Sequence, residues 1–329
     1  MPRTTPAIAA DTMHAIALLR HGGVEQLRSH VLPIPRPGPG QLLLRVHAAG
    51  VGRWDILERE GVFALQRNRR TRFPHVGGSE GAGVVVATGI RAAGFEEGDR
   101  VYGLVAHRSP MAGFHAEFAL VDTDYARLVP RRMSMDQAAV LPVDGGIALR
   151  GLRDILELQG GEALALFGAS GGMGHLALQL AKRMGARVLA IASGEDGVRM
   201  ASRLGADAAI DGRRDDIAVA MRQFAPGGLD AALLTAGGDG AAQVVRAMPR
   251  NARMAWPHGV VPPPETVDLP QARAYAAGYG PALMEDLHAL VVQGPLMPHV
   301  SRRFPLERIA EAQHALGAHH LGRIAVSTL

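Results

Sequence analysis

The chain has 329 residues, of which 47% are apolar and 20% are charged, and it contains no cysteine. This length allows two domains of ordinary size, and the composition is that of a globular protein, which excludes a disordered or coiled-coil class. The lack of cysteine excludes disulfides, thiolate nucleophiles, iron–sulfur clusters and zinc held by cysteine.

The charge of the chain gives little support to a nucleic-acid partner. The formal net charge is only +4, although the sequence pI is near 10.0. Lys182 is the only lysine, so almost all basic residues are arginine. Because arginine has the highest side-chain pKa, it raises the pI without creating a strongly basic surface. We therefore do not expect nucleic-acid binding.

The beginning of the chain lacks the features of a membrane or secretory segment. No apolar run approaches the roughly 18 residues that span a bilayer. Asp11 and His14 interrupt the opening where a signal peptide needs an apolar stretch. We expect a soluble cytoplasmic protein with no membrane partner, and a mobile extension over residues 1–12, which show no periodic pattern.

Residues 13–136 contain short apolar segments separated by Gly and Pro. The segments predicted as strands are HAIALL, QLLLRVHAAGV, GAGVVVATG, DRVYGLV and HAEFALV, and the turns are PRPGPG and EEGDR. Such short runs bounded by turn residues predict a β-rich domain.

Residues 137–277 show a different rhythm, in which strands alternate with helical patterns. The order is ALALFGA, MGHLALQLAKRMGA, RVLAIAS, GVRMASRLGA and DAAID, followed later by LDAALLTAGG. This alternation predicts parallel βαβ units and a doubly wound sheet, so the fold class is α/β. Residues 278–329 contain two helical patterns and a last strand, RIAVSTL, which the pattern alone assigns to neither domain.

A glycine-rich loop follows the first strand of the second domain. It reads GASGGMG and contains A-x-G-x-x-G, with alanine in place of the first glycine of the dinucleotide fingerprint. Gly171 permits close approach of a pyrophosphate, Gly174 lets the helix pack on the sheet, and the helix N-terminus offers free N–H groups. The predicted cofactor residues in this loop are Gly168, Ala169, Ser170, Gly171, Gly172, Met173 and Gly174.

The end of the next strand selects between the two nicotinamide dinucleotides. An acidic residue there accepts a ribose hydroxyl of NADH and repels the 2′-phosphate of NADPH. The strand ends at Ser193 without an acid, and Arg199 follows on the next helix, so we expect NADPH rather than NADH. Glu195 and Asp196 lie close in sequence and weaken this preference. Thr235 and Gly237, at the end of a later strand, complete the predicted cofactor contacts.

These motifs together resemble the medium-chain dehydrogenase/reductase superfamily, and most closely its zinc-free quinone oxidoreductase branch. The matching pieces are PRPGPGQLLLRVHAAGV, GSEGAGVVVATG, GFEEGDRVYG, HAEFALV, AAVLPVDGG, GASGGMG, LGAD and GRIAV. The resemblance implies a GroES-like domain built from residues 13–136 and 278–329, a Rossmann domain inserted over 137–277, and a cleft active site. It also places Arg323 at a position that is usually lysine and among the cofactor contacts, and we expect a homodimer.

The resemblance also shows what this chain has lost. Zinc-dependent members hold their metal at positions that align here with Gly52, Ser79 and Val143, none of which offers a thiolate or imidazole. Glu80 remains beside the lost histidine position. We expect no bound metal. Without such a Lewis acid, a substrate that delocalises the incoming charge, such as a quinone or enone, fits better than a simple ketone.

The candidate catalytic residues follow the strand that ends in AAGV. Arg53 is predicted to donate to a substrate oxygen and Asp55 to orient it, while Trp54 and Ile147 are predicted to line the substrate pocket. An equally weighted interpretation places Trp54 in the core and has Asp55 pair with Arg53 or cap a helix.

Three functions are consistent with the sequence. The first is NADPH-dependent reduction of a small quinone or enone. The second is enoyl-thioester reduction, which the basic loop over 67–72 would favour because arginine forks bind phosphates. The third is a catalytically weak NADPH-binding protein with an RNA-associating or regulatory role. Gly52, Leu57 and Ile147 would favour it, because the resemblance implies Asn, Tyr and Thr at or near these positions.

Overall fold

The structure is a computed structural model that describes residues 11–66, 70–105, 111–294 and 296–328, apart from the side chain of Gln66. The chain divides into two compact units. One comprises Met1–Val143, Gly280–Gln293 and Val300–Leu329, and the other comprises Asp144–Tyr279 and Gly294–His299. Both helices and strands are present in each unit, and the predicted α/β fold class with a GroES-like and a Rossmann domain is confirmed.

The first unit begins with a β-rich segment. Within the described residues its strands and helices up to Ala139 are β1 (Thr12–Leu18), β2 (Arg28–Pro33), β3 (Gln41–Val51), α1 (Arg53–Arg59), α2 (Val62–Gln66), β4 (His75–Val76), β5 (Glu80–Thr88), β6 (Arg100–Leu104), β7 (Phe118–Asp122), β8 (Ala126–Leu128) and α3 (Met135–Ala139).

The second unit has alternating strands and helices. Its elements, in chain order among the described residues, are α4 (Pro142–Arg150, which begins in the first unit), β9 (Ala163–Phe167), α5 (Gly172–Arg183), β10 (Arg187–Ala192), α6 (Gly194–Arg203), β11 (Ala208–Asp211), α7 (Ile217–Phe224), β12 (Ala231–Leu234), α8 (Asp239–Ala247), β13 (Arg253–Pro257) and β14 (Ala272–Tyr275).

The chain then returns to the first unit. The last elements are α9 (Pro281–Gln293), β15 (Val300–Pro305), α10 (Ile309–Ala315) and β16 (Arg323–Ser327). Strand β16 pairs antiparallel with β3, with Ile324 opposite Val51 and Ala325 opposite Gly50. This pairing incorporates the C-terminal strand into the sheet of the first unit.

The two units have different sheets. In the described part of the second unit, six parallel strands are ordered β11-β10-β9-β12-β13-β14, the order of a doubly wound dinucleotide-binding sheet. In the first unit, β15, β16, β3, β5, β6 and β8 follow one another in a sheet in which β7 also pairs with β3, and β2, β1 and β4 form a smaller sheet. In the described part of the chain, the sheet of parallel strands therefore lies in the second unit, whereas the strands of the first unit pair antiparallel except for β15 with β16.

The unit boundaries differ from those expected from the sequence, which were placed after residues 136 and 277. The first division falls after Val143, and Gly294–His299 returns to the second unit. That return is fixed by hydrogen bonds: the amide of Gln179 bonds to the backbone N–H and C=O of Met297 at 2.9 and 3.2 Å. The N–H of His299 also donates to Nε2 of His175 at 3.0 Å.

The predicted mobile extension, residues 1–12, falls mostly on residues 1–10, which lie outside the described part of the chain. The last two residues are ordered into the fold. Thr12 begins β1, and the carbonyl of Asp11 accepts a 3.0 Å hydrogen bond from the N–H of Ile34. Among the described helices, none combines the length and apolar character needed to span a bilayer.

Candidate active site

The glycine-rich loop lies between β9 and α5, in the strand–loop–helix context that the sequence predicts. Helix α5 begins after Gly171, whose position provides no side-chain cap. The first N–H groups of a helix have no partner within the helix, and here their positive dipole end faces the loop. The N–H groups of Ala169 and Gly171 already bond to the carbonyls of Ile191 and Gly168 at 3.1 and 3.0 Å. The first N–H groups of α5, over 172–174, therefore offer donors to an anion such as a pyrophosphate.

Close contacts require glycine at two positions of this loop. A Cβ at Gly174 would lie 2.0 Å from the carbonyl oxygen of Gly168. Gly168 itself has a φ of 79°, and its Cβ would lie 2.4 Å from Oγ1 of Thr235. That hydroxyl donates to the carbonyls of Phe167 and Gly168 at 2.9 and 3.2 Å. Thr235 thus fixes the loop, and its predicted direct contact with the cofactor stays a prediction.

Gly237 lies in the loop that follows β12. A Cβ there would lie 2.3 Å from the carbonyl oxygen of Pro262, so only glycine fits at this position. The structure therefore gives a packing reason for Gly237. Its predicted contact with the cofactor stays a prediction.

Ser193 lies at the end of β10, beside the glycine-rich loop. Its N–H donates to the hydroxyl oxygen of the buried Ser170 at 3.3 Å, which ties the strand end to the loop. The Ser193 hydroxyl is itself shielded from solvent and has no hydrogen-bond partner within the described residues. A buried hydroxyl is costly unless it bonds, so Ser193 is suited to a polar ligand group.

A charged cluster of exposed side chains surrounds the start of α6. Arg199 lies one turn after Glu195 on this helix, and its guanidinium is 3.7 Å from the Glu195 carboxylate. Arg214, from the loop after β11, reaches the same carboxylate at 3.1 Å. Glu195 therefore holds two arginines beside the end of β10. The sequence indicates Arg199 but not Arg214, because Arg214 approaches Glu195 only through the pairing of β10 with β11.

Asp211 is a second residue that the sequence analysis missed. It is paired in register with Ala192, and its carboxylate accepts from the N–H groups of Gly194 and Arg213 at 3.0 and 3.1 Å. Burial alone would raise the pKa of Asp211, but these hydrogen bonds lower it below its usual value. The carboxylate is ionised and is occupied in holding the loop. A strand-ending Asp in AAID is the signal that indicates it.

In the first unit, α1 presents the predicted catalytic residues in opposite environments. Arg53, the first residue of α1, is exposed, whereas Asp55 is 3% exposed. The Oδ2 atom of Asp55 accepts from the N–H of Gly52 at 2.7 Å, which caps the helix. The expected orienting pair of Arg53 and Asp55 is wrong: no hydrogen bond or ion pair joins them in the structure, because capping turns the carboxylate inward.

Trp54 fills the space beside Gly52. A Cβ at Gly52 would lie 2.3 Å from the indole ring, so a larger residue at Gly52 would require the ring to move. The ring also lies under the guanidinium of Arg323, with 4.6 Å between the guanidinium carbon and the ring centroid. Such a cation–π contact holds both side chains in place.

Glu80 and Arg323 form a buried ion pair. Glu80 is 0% and Arg323 3% exposed. One carboxylate oxygen of Glu80 pairs with Arg323, and the other accepts from the N–H of Val143 at 2.7 Å. The Arg323 guanidinium is thus bound to Glu80 and Trp54. This arrangement gives Arg323 a partner inside its own unit, and a direct cofactor contact for it stays a prediction.

Two buried titratable groups lie near this pair. Burial raises the pKa of Asp55 well above 3.8, and the nearby carboxylates of Glu58 and Glu80 raise it further. The Gly52 N–H and Arg323 act in the opposite direction. Burial lowers the pKa of His115 from 6.5 to about 4. His115 is therefore neutral at neutral pH, and Asp55 favours its protonated form more strongly than an exposed carboxyl does.

The remaining predicted site residues are less informative. Ile147 lies on α4, half-buried, and its carbonyl oxygen accepts from the hydroxyl of Tyr275 at 3.1 Å. Within the basic loop at 67–72, residues 67–69 lie outside the described part. In the residues that the structure describes, no three His, Asp or Glu side chains form a group able to hold a metal ion.

Comparison with known proteins gives the family. Residues 38–131 match the alcohol dehydrogenase GroES-like domain, and residues 172–275 match the zinc-binding dehydrogenase domain. Human quinone oxidoreductase is 29% identical over 339 residues, which cover 95% of this chain and 97% of that protein. The chain belongs to the medium-chain dehydrogenase/reductase superfamily and is quinone oxidoreductase-like. It is therefore an oxidoreductase of a family that depends on nicotinamide nucleotides.

Solved structures of relatives differ in cofactor. An NAD-dependent alcohol dehydrogenase aligns with a TM-score of 0.85 and 27% identity over 96% of this chain and 100% of that one. A mycobacterial protein complexed with NADPH aligns with a TM-score of 0.78 and 26% identity over 96% of this chain and 99% of that one. Family membership thus leaves the choice of dinucleotide to the residues of this chain.

Proposed function

We propose that this chain is an NADPH-dependent reductase that transfers hydride to a quinone or an α,β-unsaturated carbonyl without zinc. The observation on which this depends most is the Trp54 ring, which occupies the space beside Gly52 where zinc-dependent members place a ligand. The supporting features are the glycine-rich loop, the arginines around Glu195, and the buried Glu80–Arg323 pair.

The second unit fits a dinucleotide. The first N–H groups of α5, over 172–174, would bind the pyrophosphate, since no side chain caps this end of the helix. The nicotinamide supplies the hydride when bound. The protein contributes binding and orientation of that group.

The charges at the end of β10 favour NADPH. Ser193 has a buried hydroxyl. Glu195 holds the side chains of Arg199 and Arg214 near the same strand end. A 2′-phosphate would offer these two arginines a doubly charged partner in place of the single charge of Glu195. The nearby Asp211 carboxylate is already occupied by backbone N–H groups. These contacts support a phosphate site beside the ribose.

The residues at the family's zinc positions do not fit a zinc ion. Gly52 and Val143 have no ligating side chain, and Ser79 provides only a hydroxyl, which is not among the usual zinc ligands. Glu80, the remaining carboxylate, has both oxygens engaged by Arg323 and the Val143 N–H. Reduction in this chain would therefore not use a metal to polarise the substrate.

The proposed substrates match this arrangement. A quinone or enone spreads the charge that arrives with the hydride onto oxygen, where a hydrogen-bond donor suffices to stabilise it. Arg53 is such a donor: its side chain is exposed, and among the described residues no hydrogen bond or ion pair occupies its guanidinium. The proton that completes the product would come from water. Homodimer formation and a cytoplasmic location stay predictions.

The cofactor preference can be tested by titrating NADPH and NADH binding by fluorescence. The double variant Arg199→Ala/Arg214→Ala should weaken NADPH binding by at least tenfold, since each charged hydrogen bond contributes about 1.5–3 kcal/mol. NADH binding should stay nearly unchanged. Glu195→Gln should strengthen NADPH binding because it releases both arginines.

Arg222→Ala is the matched control, since Arg222 is an exposed arginine on α7 of the same unit. This control should bind both dinucleotides as the parent does. Tighter binding of NADH by the parent, or equal losses for both dinucleotides in the double variant, would contradict the NADPH assignment.

The role of Arg53 is tested by Arg53→Met with one quinone and one enone. If Arg53 stabilises the developing oxyanion, kcat for the enone should fall by up to about 100- to 1000-fold. The fall for the quinone should be smaller, because its product anion spreads charge over an aromatic ring. Arg36→Met, which removes an exposed arginine elsewhere in the unit, is the control. Equal small losses for both substrates would remove Arg53 from the active site.

A further inference from the structure

A small internal cavity lies in the first unit, under α1. The space open to the centre of a water molecule is about 10 Å³. A cavity of roughly 10–15 Å³ by this measure holds one water molecule. Its wall includes apolar residues from β1 and five polar side chains from separate parts of the chain. The lining residues are Ile16, Leu18, Leu27, Asp55, Glu58, Arg59, Gly77, His115 and Gln313.

Four of these side chains are more than nine-tenths buried and have an unsatisfied polar atom. Their exposed fractions are between 2 and 7%. Within the described residues, none of the following atoms has a hydrogen-bond partner: Asp55 Oδ1, Arg59 Nε, His115 Nε2 and Gln313 Oε1. An unpaired buried polar atom destabilises the folded state, so four around one cavity would be a large loss of stability.

The chemistry of the four atoms matches one water molecule. A water molecule donates two hydrogen bonds and accepts two. Arg59 Nε–H is always a donor, and Gln313 Oε1 is always an acceptor. Asp55 and His115 can each take either role, depending on where a proton lies. If one of them donates and the other accepts, all four hydrogen bonds of the water are satisfied.

We propose that this cavity is a binding site for one internal water molecule, which bridges Asp55, Arg59, His115 and Gln313. Polar lining, volume and the number of unsatisfied atoms all agree with this assignment. The site joins α1 to α10, which are separated by most of the sequence. It goes beyond the proposed reductase activity and does not depend on it.

The water also determines which of its neighbours has a proton. With Asp55 protonated, its O–H donates to the water, and the water donates to His115 Nε2 and Gln313 Oε1. The charged groups that face Asp55 are Glu58 and Glu80, with Arg323 opposing them. Those that face His115 are Glu58 and His75. The neutral forms of Asp55 and His115 therefore fit the bridge without any net charge being added.

A crystal structure of the full chain, at a resolution that orders buried water, tests the site directly. We expect a water peak within about 3.2 Å of at least three of the four atoms. Direct pairing of these side chains with one another, or a cavity without a water peak, would overturn the proposal.

Thermal unfolding of Gln313→Met gives an independent test. If the water is present, losing its acceptor should lower the melting temperature by about 2–4 °C. If the cavity is dry, removing an unpaired polar atom should raise the melting temperature or leave it unchanged, which would contradict the proposal.

Gln179→Met is the matched control. Gln179 is a buried glutamine whose amide bonds directly to the backbone of Met297 and His175. Its substitution calibrates the loss expected when a buried glutamine has direct partners. A fall for Gln179→Met together with no fall for Gln313→Met would show that Gln313 has no bound water.

Discussion

The glycine-rich loop of the second unit and the buried polar site of the first unit are built in different ways. The loop uses backbone N–H groups and the close approach of Gly174 to Gly168, all within a few residues of sequence. The polar site uses side chains, and its central pair joins Glu80 to Arg323, which are 243 positions apart. One site is made by local chain geometry and the other by the tertiary fold.

This difference predicts how each site should respond to substitution. A site made of backbone tolerates changes of side-chain chemistry but fails when an added Cβ collides with the chain. A site made of buried charges tolerates a change of shape better than the loss of one partner, because the remaining charge is then buried alone.

The largest effect is expected for Glu80→Gln. Removing one partner of a buried ion pair costs about 3–5 kcal/mol because Arg323 would keep its charge without its counter-charge. Chemical denaturation should show this loss of unfolding free energy. In Glu311→Gln, which breaks the exposed Arg308–Glu311 pair, we expect no measurable change. Equal effects of the two substitutions would show that the buried Glu80–Arg323 pair contributes no more to the unfolding free energy than the exposed pair does.

The next effect is the pH dependence contributed by His115. Its folded-state pKa of about 4 is below the unfolded value of 6.5, so between these values the unfolded state binds more protons. This contribution to stability is present above pH 6.5 and is lost as the pH falls toward 4. The loss is on the order of 3 kcal/mol.

The comparison with His115→Phe isolates this contribution. Asp55 has the opposite sign in the same range, since its raised pKa makes stability fall as the pH rises above 3.8. Denaturation of parent and variant across pH 4–7 should give a difference that grows as the pH falls, in favour of the variant. A constant difference across this range would contradict the burial of a neutral His115.

The smallest of the three effects is that of Gly174→Ala. Its Cβ would lie 2.0 Å from the carbonyl oxygen of Gly168, and such overpacking costs about 1–3 kcal/mol. It should also weaken NADPH binding, because the helix must move away from the loop. Gly227→Ala, where an added Cβ meets nothing within 4 Å, should change neither property. Normal NADPH binding by Gly174→Ala would show that cofactor binding does not depend on the close approach of Gly174 to Gly168.

The same contrast explains what the sequence could predict. GASGGMG identifies the loop because its determinants are neighbours in sequence and its strand and helix adjoin it. The chain-order pattern of strands and helices likewise predicts the doubly wound sheet. The positions of Arg214 and Asp211 at the end of β10 could not be predicted from the sequence, because they depend on the pairing of β10 with β11.

In the first unit, sequence proximity was misleading. Arg53 and Asp55 are two positions apart, yet one is exposed and the other is buried as the cap of α1. Their predicted pairing failed because helix capping competes for the same carboxylate. Arg323 was assigned to the cofactor by its motif, whereas its guanidinium pairs with Glu80, a partner that no local pattern indicates.

The central claim is reduction with NADPH and without zinc, and one kinetic measurement tests it most directly. The purified protein is dialysed against a chelator, its zinc content is measured, and its oxidation of NADPH and of NADH by a quinone is compared before and after. We predict no stoichiometric zinc, an unchanged rate after chelation, and a higher kcat/KM with NADPH than with NADH. Activity that disappears on chelation and returns with added zinc, or a higher kcat/KM with NADH, would contradict it.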